Sequence, residues 1–334
     1  MANYGIPYQG SKGTLAHKLA AILPGAENFY DLFGGGFSVS HYMYLHKKYK
    51  HVHYNEIESD TVELVKAGIA GKYNYKTFKP EWVTREMFLA RKLDCAYTRI
   101  IWSFGNNQKG YLFGKDIEAD KRSLHNAVVF GEFDDNALQL LGVKSWPTNL
   151  SIRGRRLMCK KIITRAGKRV DLQQLERLEQ LQQLERLQRL EQLQQLEQLE
   201  RLQQLERLEQ LQQLERLEQL QQLERLEQPT KGLSFGSASY ESVSILPNSV
   251  IYCDPPYANT GGYLKAFDHD KFWQWVRECR HPVYVSEYTA PADIKVIAAF
   301  RHKKKNSQTT TDSVEKLFCN EAAFNARKQL LNKR

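Results

Sequence analysis

Apolar positions along the chain form two blocks of mixed helix and strand patterning, separated by a long tract of another kind. In the first block a helical pattern covers Thr14–Leu23, and an apolar run over Glu27–Phe33, ending in Gly34-Gly35-Gly36, has the length of a strand. A helix over Ser38–Lys47 and a second strand over His51–Ile57 follow, so the block begins as a βαβ unit. His51 and His53 alternate along that strand and read as structural. The last block predicts a strand at Ser249–Cys253, a helix at Asp270–Arg280, a strand at Pro282–Glu287 and further apolar runs at Ile294–Phe300 and Val314–Phe318. Neither block makes a domain alone. Together they predict one open, mostly parallel α/β sheet split by an insertion. Residues 71–171 lack clear alternation, are rich in Tyr, Phe and Trp, and read as a separate, mostly helical module.

The tract between the blocks has leucine at every third position from Leu172 to Leu226, 19 in all, spaced almost throughout by Gln-Gln, Glu-Arg and Glu-Gln. These residues all favour helix. At about 100° per residue, three residues advance about 300°, so successive leucines slip about 60° and circle the helix instead of holding one stripe. A fixed coiled-coil seam is therefore not expected. Residues 172–228 read as a tandem helical spacer, closed by Pro229, Thr230, Lys231 and Gly232; a specific partner helix is the alternative. Leucines on all sides also predict weak self-association of an otherwise monomeric unit.

Charge adds a partner. Lys and Arg number 48 against 38 Asp and Glu, a net charge of +10, and the tract holds 12 Glu and 7 Arg, so the remaining residues carry +15. That balance favours a polyanion. A basic run, Arg153, Arg155, Arg156, Lys160, Lys161, Arg165, Lys168 and Arg169, precedes the tract, and Lys303-Lys304-Lys305 reads as an exposed loop. The five cysteines form no C-x-x-C pair, which suits a reducing compartment. No apolar run approaches the length of a membrane span, and the opening residues lack a signal-peptide core, so a soluble cytoplasmic protein is expected. The nine histidines show no metal-ligand spacing, and no metal is expected.

The chemistry centres on Asp254-Pro255-Pro256-Tyr257, which follows the strand Ser249–Cys253 directly. In open α/β sheets ligands bind outside the carboxyl ends of strands. Two prolines stiffen the backbone and leave their carbonyls without a helix or ladder to join. The result is a rigid platform with one carboxylate, free carbonyl oxygens and an aromatic face. It suits an exocyclic amino group on a planar base, whose two N–H bonds go to the carboxylate and a carbonyl while Tyr257 stacks on the ring.

The string Ser249-Val250-Ile251-Tyr252-Cys253-Asp254-Pro255-Pro256-Tyr257 resembles the catalytic motif of the amino-methyltransferases, and the remaining motifs fall in the order of the Dam-like DNA adenine methyltransferases. Tyr8-Gln9-Gly10-Ser11-Lys12 is similar to that family's N-terminal cofactor motif. Asp31-Leu32-Phe33-Gly34-Gly35-Gly36-Phe37 resembles its D-x-F-x-G-x-G loop, and Asn55-Glu56-Ile57 resembles the acidic position after the second strand. Phe37 stands where the loop's last Gly would be, and Glu56 replaces the commoner Asp. The resemblance covers roughly residues 1–60 and 245–320.

What the resemblance implies is a Rossmann-like, S-adenosylmethionine-dependent methyltransferase sheet, with a catalytic domain split over 1–70 and 229–334 and a DNA target-recognition module at 71–171. It implies transfer of a methyl group to N6 of adenine in double-stranded DNA, the base being flipped out of the helix. Asp254, Pro255, Pro256 and Tyr257 become the catalytic residues. Tyr8, Lys12, Asp31, Phe33, Gly34, Gly35, Gly36, Glu56 and Asp254 become cofactor-binding, with Glu56 placed to accept the ribose hydroxyls. In the module, Asn106, Asn107, Lys109 and Tyr111 become candidates for contact with DNA. Cytosine N4, RNA adenine and a protein amide remain alternative acceptors, and a non-catalytic DNA-binding or assembly protein is the alternative of a different class.

Overall fold

Strand β1 (Asn28–Asp31) and strand β4 (Ser249–Cys253) are buried at every position, so neither shows the apolar–polar alternation of a half-exposed strand. Helices cover both faces of the sheet they belong to. The computed structural model describes residues 4–164 apart from 75, 77 and 147–149, the two positions 223 and 226, and residues 230–257, 267–305 and 310–332. In chain order the helices and strands are α1 (Ala16–Ile22), β1, α2 (Ser38–Leu45), β2 (His51–Asn55), α3 (Ser59–Ile69), α4 (Arg85–Arg91), α5 (Glu118–Val129), α6 (Asp135–Leu141), α7 (152–164), β3 (Leu233–Gly236), β4, α8 (His269–Glu278), β5 (Val283–Glu287), β6 (Lys295–Lys305), β7 (Thr310–Cys319) and α9 (Glu321–Asn332).

The seven strands lie in the order β3-β2-β1-β4-β5-β7-β6. Pairing is parallel from β3 to β5 and antiparallel for β7 against both neighbours. The fold is thus the expected Rossmann-like α/β sheet, and its order reverses between β1 and β4. That reversal opens a crevice at the carboxyl ends of these two strands.

On one face Phe29, Val52, Val250, Tyr252, Leu317 and Cys319 pack with residues of α1, α2 and α9. On the other, Tyr30, Ile251, Cys253 and Val285 meet Phe272, Trp273 and Val276 of α8. Tyr54 and α3 share a third cluster with Trp102, Phe113, Leu124, Ile152 and Cys159, so the helices between 85 and 164 close over the sheet through a continuous core.

Two elements lie where the sequence pattern gave no strand. β3 is a four-residue strand paired to β2. Lys303–Lys305, expected as an exposed loop, belong to β6, where they pair with 310–312. The β6–β7 ladder runs on past the last β5 pair, Glu287 with Lys316, so this hairpin extends beyond the carboxyl end of β5, on the crevice side.

Residues 172–222, and with them the helical conformation expected of the tract, lie outside the described residues. Its last leucines correct the spacer boundary: Leu223 and Leu226 are fully buried in the core cluster of α3. A Cβ on Gly68 would lie 2.9 Å from a Leu226 methyl carbon and 3.3 Å from the Leu223 carbonyl oxygen, so any larger residue there would make Leu226 shift. Part of the basic run is also structural. Arg155 donates to the carbonyls of Val128, Val129 and Leu150, and Arg156 is buried; Arg165, Lys168 and Arg169 lie outside the described residues. Among the described residues no helix is long and apolar enough to cross a membrane, and no cluster of His, Cys, Asp and Glu could hold a metal ion.

Candidate active site at the carboxyl edge of the sheet

The loop after β1 is held against the end of β2. Gly34 N–H donates to the Asn55 carbonyl at 2.9 Å, Gly35 N–H to Glu56 Oε2 at 2.8 Å, and the Tyr54 hydroxyl to the Gly35 carbonyl at 2.8 Å. Any side chain at Gly34 would run into the Tyr54 ring, which explains glycine there. Tyr8 lies against Gly35 and Gly36. Phe33 packs among Tyr240, Phe267 and Phe272.

Phe37 starts α2 in the left-handed region, at φ 67°. The backbone there has the conformation glycine adopts most easily, and for another residue it costs about 1–2 kcal/mol. Full burial of the ring, stacked on His41 and set edge-on to Tyr54, offsets that strain.

Three carboxylates collect at this edge. Asp31, at the end of β1, accepts the Ser40 hydroxyl on Oδ2 at 2.7 Å, while its buried Oδ1 has no hydrogen-bond partner among the described residues. Burial pushes its pKa up to about 7, and the charges of Asp254 and Glu56 add to the rise. Glu56 is raised by burial as well, against the N–H groups of Glu58 and Gly35 that it accepts. Asp254 follows β4, with Oδ2 at 3.0 Å from Lys12 Nζ and Oδ1 buried without a partner among the described residues. Burial raises it to about 6, the Lys12 ammonium opposes the rise, and Glu315 adds to it.

Tyr257 completes the platform, edge-on to Tyr288 at 4.9 Å, with Lys12 Nζ 4.7 Å from its ring centre. Pro255 is buried and Pro256 half-buried. The expected catalytic and cofactor residues thus share one crevice, at the point where the strand order reverses.

Residues 8–94 match the family model of the D12 class N6 adenine-specific DNA methyltransferases. The matched stretch holds Lys12, the β1 loop and Glu56, and ends beyond α4. It supports an adenine N6 DNA methyltransferase, in agreement with the Rossmann-like sheet. Asp254–Tyr257 lie outside the D12 match and are tied to it by β1–β4 pairing, Asp31 opposite Tyr252. No curated protein matches the chain.

The 103–111 loop is built differently from expectation. Ser103 bridges Tyr111, and the Asn107 side-chain oxygen accepts the N–H groups of Lys109 and Gly110, closing the turn. Asn106 donates to the Ile100 carbonyl. Tyr111, expected to face DNA, is turned inward instead: its ring is buried and its hydroxyl donates to the Val83 carbonyl at 2.6 Å, so it anchors the loop. Lys109 is exposed, and the exposed aromatic is Phe104.

Two side chains of the site escaped the sequence reading. Arg99 is buried, bidentate to Asp60 and bonded to the Gln108 side chain, so it ties the 103–111 loop to the start of α3. Glu315 on β7 also reaches Lys12, with Oε1 at 3.6 Å from Nζ. Its signal was parity: it shares a strand face with buried Leu317 and Cys319.

Proposed function

We propose that the chain transfers the methyl group of S-adenosylmethionine to N6 of adenine in duplex DNA, with the target base flipped into the Asp254–Tyr257 pocket. The observation that carries this reading is the unmatched Oδ1 of Asp254, a buried acceptor at the carboxyl end of β4 beside the β1 loop. A buried polar atom without a partner is costly, and a ligand that supplies the missing donor removes the cost.

The residues fit the cofactor. Asp31 and Asp254 each keep an unmatched oxygen, and Asp31 lies within electrostatic reach of both Asp254 and Glu56. Such a cluster suits a molecule with positive charge on both an ammonium and a sulfonium. Asp31 would take the ammonium, and Glu56 the ribose hydroxyls through its remaining lone pairs. Tyr8, Phe33 and Gly34–Gly36 would form the walls, and Lys12 would balance the acidic charge. When bound, S-adenosylmethionine supplies the electrophilic methyl group.

The chain's own residues do the rest. Asp254 and the Pro255 carbonyl accept the two N–H bonds of the adenine amino group, which turns the N6 lone pair out of the ring system and along the transfer line. Tyr257 stacks on the base. No base is needed beforehand, because the methylated nitrogen is acidic and gives its proton to water. Alignment and fixed charge supply the rate. Lys109, Asn106 and Asn107 on the 103–111 loop, together with the basic surface, would hold the duplex.

The test is transfer of a labelled methyl group from S-adenosylmethionine to unmethylated plasmid, followed by nucleoside analysis. N6-methyladenine at a defined sequence is the expected product. N4-methylcytosine, transfer to RNA or protein alone, or no transfer would refute the reading.

A further inference from the structure

Beside Asp254 stands a second buried carboxylate to which the reaction above gives no task. Glu315 lies on β7 opposite Phe300 of β6 and is 4% exposed. Its Oε1 is 3.6 Å from Lys12 Nζ, within ion-pair range but too long for a hydrogen bond, and has no hydrogen-bond partner among the described residues. A carboxylate buried on these terms costs the fold stability. Its neighbours on that strand face, Leu317 and Cys319, fill the core in the ordinary way.

One ammonium is thus shared between two carboxylates. The ammonium is paired to Oδ2 of the carboxylate whose Oδ1 would take the amino group, and it stands over the Tyr257 ring on which the base would stack. A stacked base has its atoms about 3.5–4 Å from those of the ring, so base and ammonium cannot occupy the same face together.

We propose that Glu315 is a positioning residue for methyl transfer: it takes over the Lys12 ammonium as the adenine enters, clearing the face of Tyr257 and leaving Asp254 to the amino group. This rests on the methyltransferase reading above. With Glu315 present two carboxylates flank one ammonium, and a change of side-chain torsions moves the ammonium from one to the other. Without it, the ammonium stays paired with Asp254 and over the Tyr257 ring, so each base that enters must displace it from there.

Glu315→Gln keeps the shape and removes the charge. On duplex DNA its kcat/KM should fall about tenfold or more, whereas in a Lys12→Met background the same change should cost less than about twofold, the mark of one residue acting through another. The acid limb of the rate profile should move to lower pH in Glu315→Gln, because Glu315 is one of the charges that raise Asp254. Among the described residues Lys12, Tyr257, Tyr252, Cys253 and Asp31 also lie in electrostatic reach of Asp254, and the variant leaves all of them in place. Titration of the Asp254 carboxyl by NMR in the cofactor-free protein should show the same downward shift.

Should Glu315→Gln fail to fold, as judged by loss of cofactor binding, Glu315→Asp keeps the charge and shortens the reach, and its loss should likewise vanish in the Lys12→Met background. Losses that multiply in the double variant, or an unmoved acid limb in Glu315→Gln, overturn the proposal. An active wild type whose Glu315→Gln variant is equally active overturns it too. A wild-type chain that methylates no DNA is a separate result, which refutes the methyltransferase reading itself.

Discussion

Asp254→Asn should make the protein less active and more stable at the same time. The carboxylate is held at about 6, above its ordinary 3.8, mainly by burial. At about 1.36 kcal/mol per unit, that rise corresponds to a cost of about 3 kcal/mol for keeping the group ionised at neutral pH. The side chain is still 18% exposed, so solvent relieves part of this, and about 1–2 kcal/mol is the working figure. The folded state binds the proton more tightly than the unfolded chain, so the stability of the protonated form is complete below pH about 4 and is lost as pH rises to about 6. An amide imitates the protonated form at every pH. Urea unfolding of wild type and variant across this range should therefore give a difference near zero at pH 4 that grows to its full value by pH 6–7. Over the same range methyl transfer should fall by about 10² or more, since the acceptor that aligns the amino group has lost its charge. A variant destabilised at every pH would show Asp254 to be a structural partner of Lys12, and one that keeps more than about a tenth of the rate would refute the alignment account.

Tyr257→Ala should lower kcat/KM on duplex DNA by about tenfold or more while Tyr257→Phe stays near wild type, since stacking uses the ring face; steady-state kinetics in which Phe is as poor as Ala would give the task to the hydroxyl. Replacing Lys303, Lys304 and Lys305 with Ala should weaken DNA binding for all sequences alike and reduce the slope of log K against log salt by about 2–3, at about 0.9 for each phosphate no longer neutralised. An unchanged slope would remove the β6–β7 hairpin from the DNA surface. Deleting 172–222 should leave folding and methylation intact, while a deletion that also takes Leu223 and Leu226 should lose about 2–5 kcal/mol for each buried leucine, read by thermal unfolding.

The parts of the fold legible in the sequence are those with one dominant local cause. β1, β4 and β5 are buried at every position and carry apolar stretches, Phe29-Tyr30, Val250–Cys253 and Val283–Val285, without alternation. The Asp254–Tyr257 platform was legible because its backbone is fixed by proline and its place by the strand before it. β3 was hidden: four residues at a sheet edge, directly after a helix-stop signal, offer too little pattern. Tyr111 is buried and Phe104 exposed for a tertiary reason, because the loop anchors one aromatic on the Val83 carbonyl and turns the other outward. Glu315 could be found only by counting strand parity into a hairpin whose pairing partner is not local. The Lys12 contacts with Asp254 and Glu315 join positions near both ends of the chain, and no local pattern encodes such a meeting.

The position of the tract explains how a core can adjoin a repetitive sequence. Residues 70–232 run from the end of α3 to the start of β3, a strand at the sheet edge. The pocket depends instead on the central pair β1 and β4, whose register is fixed by their own contacts and by β2 and β5. Chain length added before an edge strand changes none of these. What the core does require is a pair of leucines three residues apart, seven and four positions before Thr230, filling the space over Gly68. Because the tract has leucine at every third position, gain or loss of whole three-residue units restores Leu-x-x-Leu at that junction. The period that denies the tract a coiled-coil seam is thus the one that keeps its junction with the core intact.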